Sequence, residues 1–149
     1  MTRDQFFMIT AINLGKLSKC VSKKVGAIIV KNNRIISMGY NGTPRGVKNC
    51  CEIFDESNFD REEHHQWSKN SEIHAEMNAI LFAAKNGISI DGAAMYVSLE
   101  PCKDCIKNIC QAGITKIFWN QKYDKNEGLS DAVKDFIREN SMKIEQLDV

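Results

Sequence analysis

Two short clusters of metal-seeking side chains constrain this chain most: His74-Ala75-Glu76 and Pro101-Cys102-Lys103-Asp104-Cys105. Each stands where a helix begins, and together they read as parts of one site. Met77, Ile80, Leu81 and Ala84 recur at helical intervals over residues 74–86, and Gly87 follows as a cap. Pro101 stands at the favoured start of a second helix over 102–111, which Gly113 closes. Buried strands over 93–99 and 115–119 alternate with these helices.

The rest of the chain fits the same alternation. Apolar residues with helical spacing predict a first helix over 4–18, and β-branched runs over 25–30 and 34–40 predict a hairpin about Lys31-Asn32-Asn33. Asn41-Gly42-Thr43-Pro44 then makes a turn. Residues 50–72 are polar, have no clear period, and form a stretch long enough to need something that pins it. A last helix over 130–140, with Ser130 as N-cap, precedes a last strand over 142–147. An antiparallel hairpin followed by βα units gives an α/β fold: a mixed five-stranded sheet between helices in three layers, as a single domain over residues 1–149.

Composition narrows the chemistry. At 149 residues the chain needs no staples to fold, yet it carries six cysteines. No uncharged run exceeds the eleven residues 5–15, well short of the roughly 20 that a membrane span requires. The first residues lack a secretory pattern, because Asp4 cancels Arg3 and no small-residue cleavage site follows. The expected compartment is therefore cytoplasmic, where thiols stay reduced and cysteines serve as metal ligands or buried packing. The net charge of +1 names no bulk partner. It conceals an asymmetry: residues 5–51 hold eight basic and no acidic side chains, whereas residues 52–149 hold 18 acidic and 11 basic ones.

His74, Cys102 and Cys105 make three ligands for Zn²⁺ and leave a fourth tetrahedral position open, as in catalytic rather than structural sites. Cysteines at i and i+3 share a helix face, and a helix N-terminus favours their thiolates. Glu76, two residues from His74, is placed to act as a proton shuttle. Singly, a C-x-x-C is equally a redox pair or half a structural site, and a lone His is usually just packed or solvated. Combined, H-x-E with P-C-x-x-C is the pattern of zinc-dependent nucleobase deaminases.

At these residues the sequence resembles the deoxycytidylate (dCMP) deaminases of the cytidine deaminase superfamily, phage enzymes above all. The likeness extends through residues 20–27, 39–44, 49–51, 72–80 and 101–105. The zinc motif alone is shared with tRNA adenosine and guanine deaminases. The 39–44 turn and the Cys50-Cys51 pair favour dCMP. The resemblance implies a cytidine deaminase-like fold and hydrolysis at C4 of the cytosine ring, with Glu76 passing a proton to N3 and then to departing ammonia. The product, dUMP, would feed dTMP synthesis, in the host cytoplasm for a phage-encoded chain. Backbone at Ala75 and Ser98 would hold the pyrimidine, Asn41 the deoxyribose, and Tyr123 would close over the nucleotide. Tyr123 also reads as a surface aromatic, and Asn41 as a turn residue. Lys24 and Arg45 are the candidates for meeting the substrate phosphate.

The same resemblance supplies a second, structural zinc on Cys20, Cys50 and His64, with Glu72 as fourth ligand and Cys51 or His65 as alternatives, which would pin the polar stretch. Cys110 reads as a core thiol. It also implies a homo-oligomer, a hexamer foremost, activated by dCTP and inhibited by dTTP, with Mg²⁺ accompanying the allosteric nucleotide and Tyr40, Gly42 and Phe82 as its contacts. No nucleic acid or membrane is expected as partner. A tRNA adenosine deaminase and a zinc-stabilised binding module without catalysis are the alternative functions. Glu76 argues against the module, since a structural site has no use for a carboxylate beside an open coordination position.

Overall fold

Strand β1 (Gly26–Lys31) is buried almost throughout, so the sheet has to be covered on both faces. Ala27 and Ile29 join one hydrophobic cluster, and Ile28 and Val30 another. In the computed structural model, which describes residues 1–123 and 131–149, five strands form one mixed sheet. With β2 (Arg34–Tyr40), β3 (Ala94–Leu99), β4 (Lys116–Gln121) and β5 (Lys143–Gln146), the order is β2-β1-β3-β4-β5. The first three strands pair antiparallel and the last three parallel. The expected architecture is borne out.

Helix α1 (Arg3–Gly15) covers one face through Phe7, Met8 and Ala11, which pack on Ile28, Tyr96 and Phe118. Burying a side chain such as Met8 contributes about 1.5–3 kcal/mol. A capping box starts the helix, with Gln5 N–H donating to Thr2 Oγ1 at 3.1 Å and Thr2 N–H to Gln5 Oε1 at 2.8 Å. The helix stops three residues before the expected end. Ser18 instead turns inward and donates its hydroxyl to the Asn41 carbonyl at 2.9 Å.

The other face carries α4 (Ala75–Lys85), α5 (Lys103–Gln111) and α6 (Asp131–Glu139). Ala79 and Ala83, Ile106 and Ile109, and Val133 meet Ala27, Ile29, Met95, Val97 and Ile117 in one core. Ser130, expected as the cap of α6, lies outside the described residues. Helix α4 lies directly on β2 at Gly39, where a Cβ would stand 2.5 Å from the Ala79 nitrogen and 2.8 Å from the Ala75 carbonyl oxygen. That approach fixes the depth of the first turn of α4, which carries part of the site. The hairpin turns on Asn32 and Asn33, both at positive φ (52° and 60°), the conformation a two-residue type I′ loop requires.

Residues 50–72 depart from the expectation of an irregular stretch. They form α2 (Cys50–Ile53) and α3 (Arg61–Ser71). Asp60 caps α3 by accepting from Glu63 N–H at 2.8 Å, and only His64 on this helix is buried. An apolar period could not reveal a helix whose inner face is one histidine and the half-buried Trp67.

Tyr96 ties α1 to the sheet by donating to Asp4 Oδ1 at 2.6 Å. Burial first, and then that bond, push its phenol well above the ordinary tyrosine range. Its folded value exceeds the unfolded value near 10, so its contribution is complete below about pH 10 and is lost as the pH rises above that. Tyr96→Phe is expected to cost about 1 kcal/mol in urea unfolding at pH 7. It should also lessen the loss of stability that wild type shows on going from pH 9 to pH 11. An unchanged alkaline slope would contradict this assignment.

Candidate active site and metal centres

His74 and Cys102 are the N-cap residues of α4 and α5, and neither side chain caps its own helix. Both have extended backbone, at φ −65°, ψ 151° and φ −73°, ψ 163°, where Ser, Thr, Asp or Asn would normally bond the first N–H groups. Pro101 therefore precedes the cap rather than opening the helix. The non-helical turn at His74 also lets its side chain share a cleft with that of Glu76, one residue into α4. Cys105, in the first turn of α5, completes the group: His74 Nδ1 is 3.2 Å from Cys105 Sγ and 3.7 Å from Cys102 Sγ. Ligands on a tetrahedral zinc stand about 3.5 Å apart, from Zn–S and Zn–N lengths of about 2.3 and 2.0 Å, so the three atoms fit that ion.

Electrostatics suit the same ion. The Cys102 thiol is held far below its ordinary range, first by the hydrogen bond from Cys105 and then by that with His74. The Cys105 thiol is pushed up by its bond to Cys102 and by burial, and His74 is raised to about 9 by its bond to Cys102. The directions favour negative charge on Cys102 with a proton nearby, which a divalent cation would displace. Glu76 is 4% exposed and lies outside the three-ligand group. Burial raises its carboxyl, favouring the protonated form.

A second group gathers Cys20 from the α1–β1 loop, Cys50 from the start of α2, His64 from α3 and Glu72 from the end of α3. His64 Nε2 lies 3.3 Å from Cys50 Sγ, 3.6 Å from Cys20 Sγ and 3.7 Å from Glu72 Oε1, and Cys20 Sγ lies 3.3 Å from Glu72 Oε1. These are again tetrahedral edges. Glu72 Oε1 also accepts from Ser68 Oγ at 2.8 Å, while Glu72 Oε2 is buried with no hydrogen-bond partner, a cost that a bound cation would remove. Phe54 and Phe59 pack their rings 5.1 and 5.4 Å from that of His64. Cys51 is exposed and His65 stands outside the group, so of the three fourth-ligand candidates the structure gathers Glu72. Cys110 is half-buried against the core.

Both groups open on one cleft of about 640 Å³, within the range of small-molecule sites. Asn41, Ala75, Glu76 and Tyr123 line it as expected. Asn41 is also structural: its Oδ1 accepts from Val25 N–H at 2.9 Å and its Nδ2 donates to the Lys23 carbonyl at 2.8 Å. Tyr123 donates its backbone N–H to Glu100 Oε1 at 3.4 Å, and burial keeps its phenol neutral. Ser98 is not among the lining residues; its hydroxyl accepts from Gly26 N–H at 3.0 Å, and Leu99 and Glu100 face the cleft instead. Lys24 and Arg45 also lie elsewhere. Among the described residues the lining cations are Lys23, Arg61, Lys69 and Lys103. Arg61 and Lys69 are spaced eight apart on α3, a signal visible only once that stretch is known to be helical. Tyr40 and Phe82 lie outside the cleft, 39% and 50% exposed, and Gly42 pairs with Ile73 as an isolated bridge.

A His-Cys-Cys group that fits zinc, at two helix starts on a mixed sheet with this strand order, is the arrangement of the zinc-dependent deaminase class. The chain belongs to the cytidine and deoxycytidylate deaminase family: the model of that family's zinc-binding region matches residues 1–121. It is 46% identical over 141 residues to the deoxycytidylate deaminase of Enterobacteria phage T4, covering 74% of this chain and 73% of the relative. The phage T2 enzyme is 47% identical over 141 residues, covering 74% of this chain and 75% of that one. The crystal structure of the dCMP deaminase of cyanophage S-TIM5 in complex with dCMP and dUMP has a TM-score of 0.75 and 33% identity, covering 96% of this chain and 95% of that one. Among the described residues no helix is long and apolar enough to cross a membrane.

Burial pushes the Cys20 thiol up to about 12 and raises Cys50 as well, so both are protonated near neutral pH until a cation displaces the protons. Zinc affinity should therefore rise with pH, by up to about tenfold per unit for each proton released. Competition with a chelator of known pH dependence is expected to show zinc held more weakly at pH 6 than at pH 8. Equal affinity at both would contradict thiolate ligation.

Proposed function

We propose that the protein hydrolyses dCMP to dUMP and ammonia. The observation that carries the reading is the pairing of three zinc ligands with a buried carboxyl, Glu76, on the wall of a nucleotide-sized cleft. Membership of the family and the named activity of relatives at 46% and 47% identity support it.

His74, Cys102 and Cys105 would hold the zinc, which when bound would supply Lewis acidity and an activated water. The remaining work falls to the chain. Glu76, starting as the carboxylate, takes a proton from the water as its oxygen bonds to C4 and delivers it to N3; it then takes the proton of the new C4 hydroxyl and gives it to the amino group, so that the C4–N bond breaks, ammonia leaves, the C4 carbonyl forms and the carboxylate is restored. Its burial matches a group that must hold a proton at neutral pH. Backbone at Ala75, at the buried start of α4, meets the pyrimidine, and Tyr123 covers the nucleotide. Asn41 meets the sugar from a position that its bonds to residues 23 and 25 hold in place. The second group, Cys20, Cys50, His64 and Glu72, holds a closed structural zinc.

The reading extends to control by nucleotides. dCTP activates and dTTP inhibits, with Mg²⁺ accompanying the triphosphate, in a hexamer. The exposure of Tyr40 and Phe82 on the β2–α4 side supports this, since those rings are available to a ligand or a neighbouring copy.

Purified protein is to be offered dCMP, deoxycytidine, CMP and a tRNA anticodon stem, with ammonia release as readout. dCMP should turn over fastest, and turnover should rise with dCTP–Mg²⁺ and fall with dTTP. An inert dCMP beside an active tRNA stem would overturn the substrate assignment, and a flat response to both triphosphates the regulatory one. Glu76→Gln is expected to retain zinc and lose at least about 10²- to 10⁴-fold in kcat. Near-wild-type turnover would refute the proton-shuttle role.

A further inference from the structure

Helix α3 carries two features that sequence and chemistry do not require to coincide. Its buried residue, His64, and its C-terminal Glu72 belong to the second metal group. Its neighbouring face carries Arg61, His65 and Lys69, at i, i+4 and i+8, into the wall of the substrate cleft. Apart from His64 the helix buries little, with Trp67 packing on Phe54 at 5.3 Å as its main apolar anchor. A single buried metal ligand and one half-buried aromatic give a helix of this polarity few reasons to stay docked. A cation joining His64 and Glu72 to Cys20 and Cys50 would fix it against two other segments.

Charge is unevenly distributed around the cleft. The stretch of wall formed by the starts of α4 and α5 carries Glu100 and Asp104 beside the buried Glu76, whose protonated form burial favours, with Lys103 next to Asp104; Lys23 reaches the wall from the α1–β1 loop. The α3 stretch carries Arg61 and Lys69, and its one lining carboxylate, Glu72, is engaged by Ser68 and Cys20. Arg61 is further held by stacking over the Phe59 ring, 5.4 Å from its centroid, so the guanidinium is partly preorganised. A dianionic ligand group is better met at the α3 stretch, with its two cations, than beside Glu100 and Asp104.

We infer that Arg61 and Lys69 are the specificity determinants for the 5′-phosphate, and that the second metal group acts in recognition by docking the helix that presents them. The inference rests on the monophosphate reading above and adds to it where discrimination between nucleotide and nucleoside is built. The second metal then has a functional effect on the substrate without touching it.

The test is calorimetric titration of the zinc-loaded protein with dUMP and with deoxyuridine, which differ only in the phosphate. Wild type should prefer dUMP. Arg61→Ala and Lys69→Ala, both at exposed helix positions, should each lower dUMP affinity by at least about tenfold, the scale of a hydrogen bond to a charged group, with a much smaller change for deoxyuridine. Zinc content should not change in either. Lys24→Ala and Arg45→Ala, outside the cleft, should leave the dUMP preference intact. Cys50→Ser, whose residue does not line the cleft, should lose one zinc per chain and most of the dUMP preference together. Full preference in the Arg61 and Lys69 variants would overturn the assignment and leave the substrate reading standing. A wild type indifferent to the phosphate would overturn both. Loss of one zinc in Cys50→Ser with the preference intact would overturn the role given to the metal group.

Discussion

Everything in this protein's site depends on two helix N-termini meeting at one point. The caps of α4 and α5 are a histidine and a cysteine whose side chains leave their own helices' N–H groups unserved and turn to each other. The arrangement gives up the side-chain caps of two helices, about 0.5–2 kcal/mol each on the usual scale. In exchange the positive ends of two helix dipoles face the thiolates that a metal needs. The core supports this geometry: Gly39 lets α4 approach β2 to backbone contact, and Ile106 and Ile109 seat α5 in the same cluster as Ala79 and Ala83.

The second metal group solves a different problem. Residues 50–72 are too polar to fold by burial, and their helix α3 would be weakly held by Trp67 and Phe54 alone. Gathering Cys20, Cys50, His64 and Glu72 links the α1–β1 loop, α2 and both ends of the α3 region. The loop from Ser18 to Val25 is then secured at several points, by the Ser18 hydroxyl on the Asn41 carbonyl, by Cys20 at the metal group and by Asn41, whose amide bonds the backbone of Lys23 and Val25. The two metal groups share a cleft because the segments that each one organises border it.

Much of this was legible in the residues themselves. Periodicity located all five strands and the helices that pack on the sheet, because their inner faces are aliphatic. The paired asparagines at 32 and 33 marked the hairpin turn, and the H-x-E and P-C-x-x-C motifs marked the ligands and Glu76. What stayed hidden is equally specific. Helix α3 has no aliphatic stripe, so its period could not be seen, and with it the cleft-facing Arg61 and Lys69. Lys24 and Arg45 look close to the site along the chain, but the neighbouring Lys23 is the one that faces the cleft. The choice among Glu72, Cys51 and His65 needed three-dimensional proximity, which adjacency in sequence cannot supply.

The proposed metal sites are His74, Cys102 and Cys105 for one and Cys20, Cys50, His64 and Glu72 for the other. Anomalous diffraction at the zinc absorption edge from crystals of the protein tests them most directly. Two peaks per chain are expected, one within about 2.3 Å of the ligand atoms of each group. A chain with no peak between His74, Cys102 and Cys105 would contradict the account.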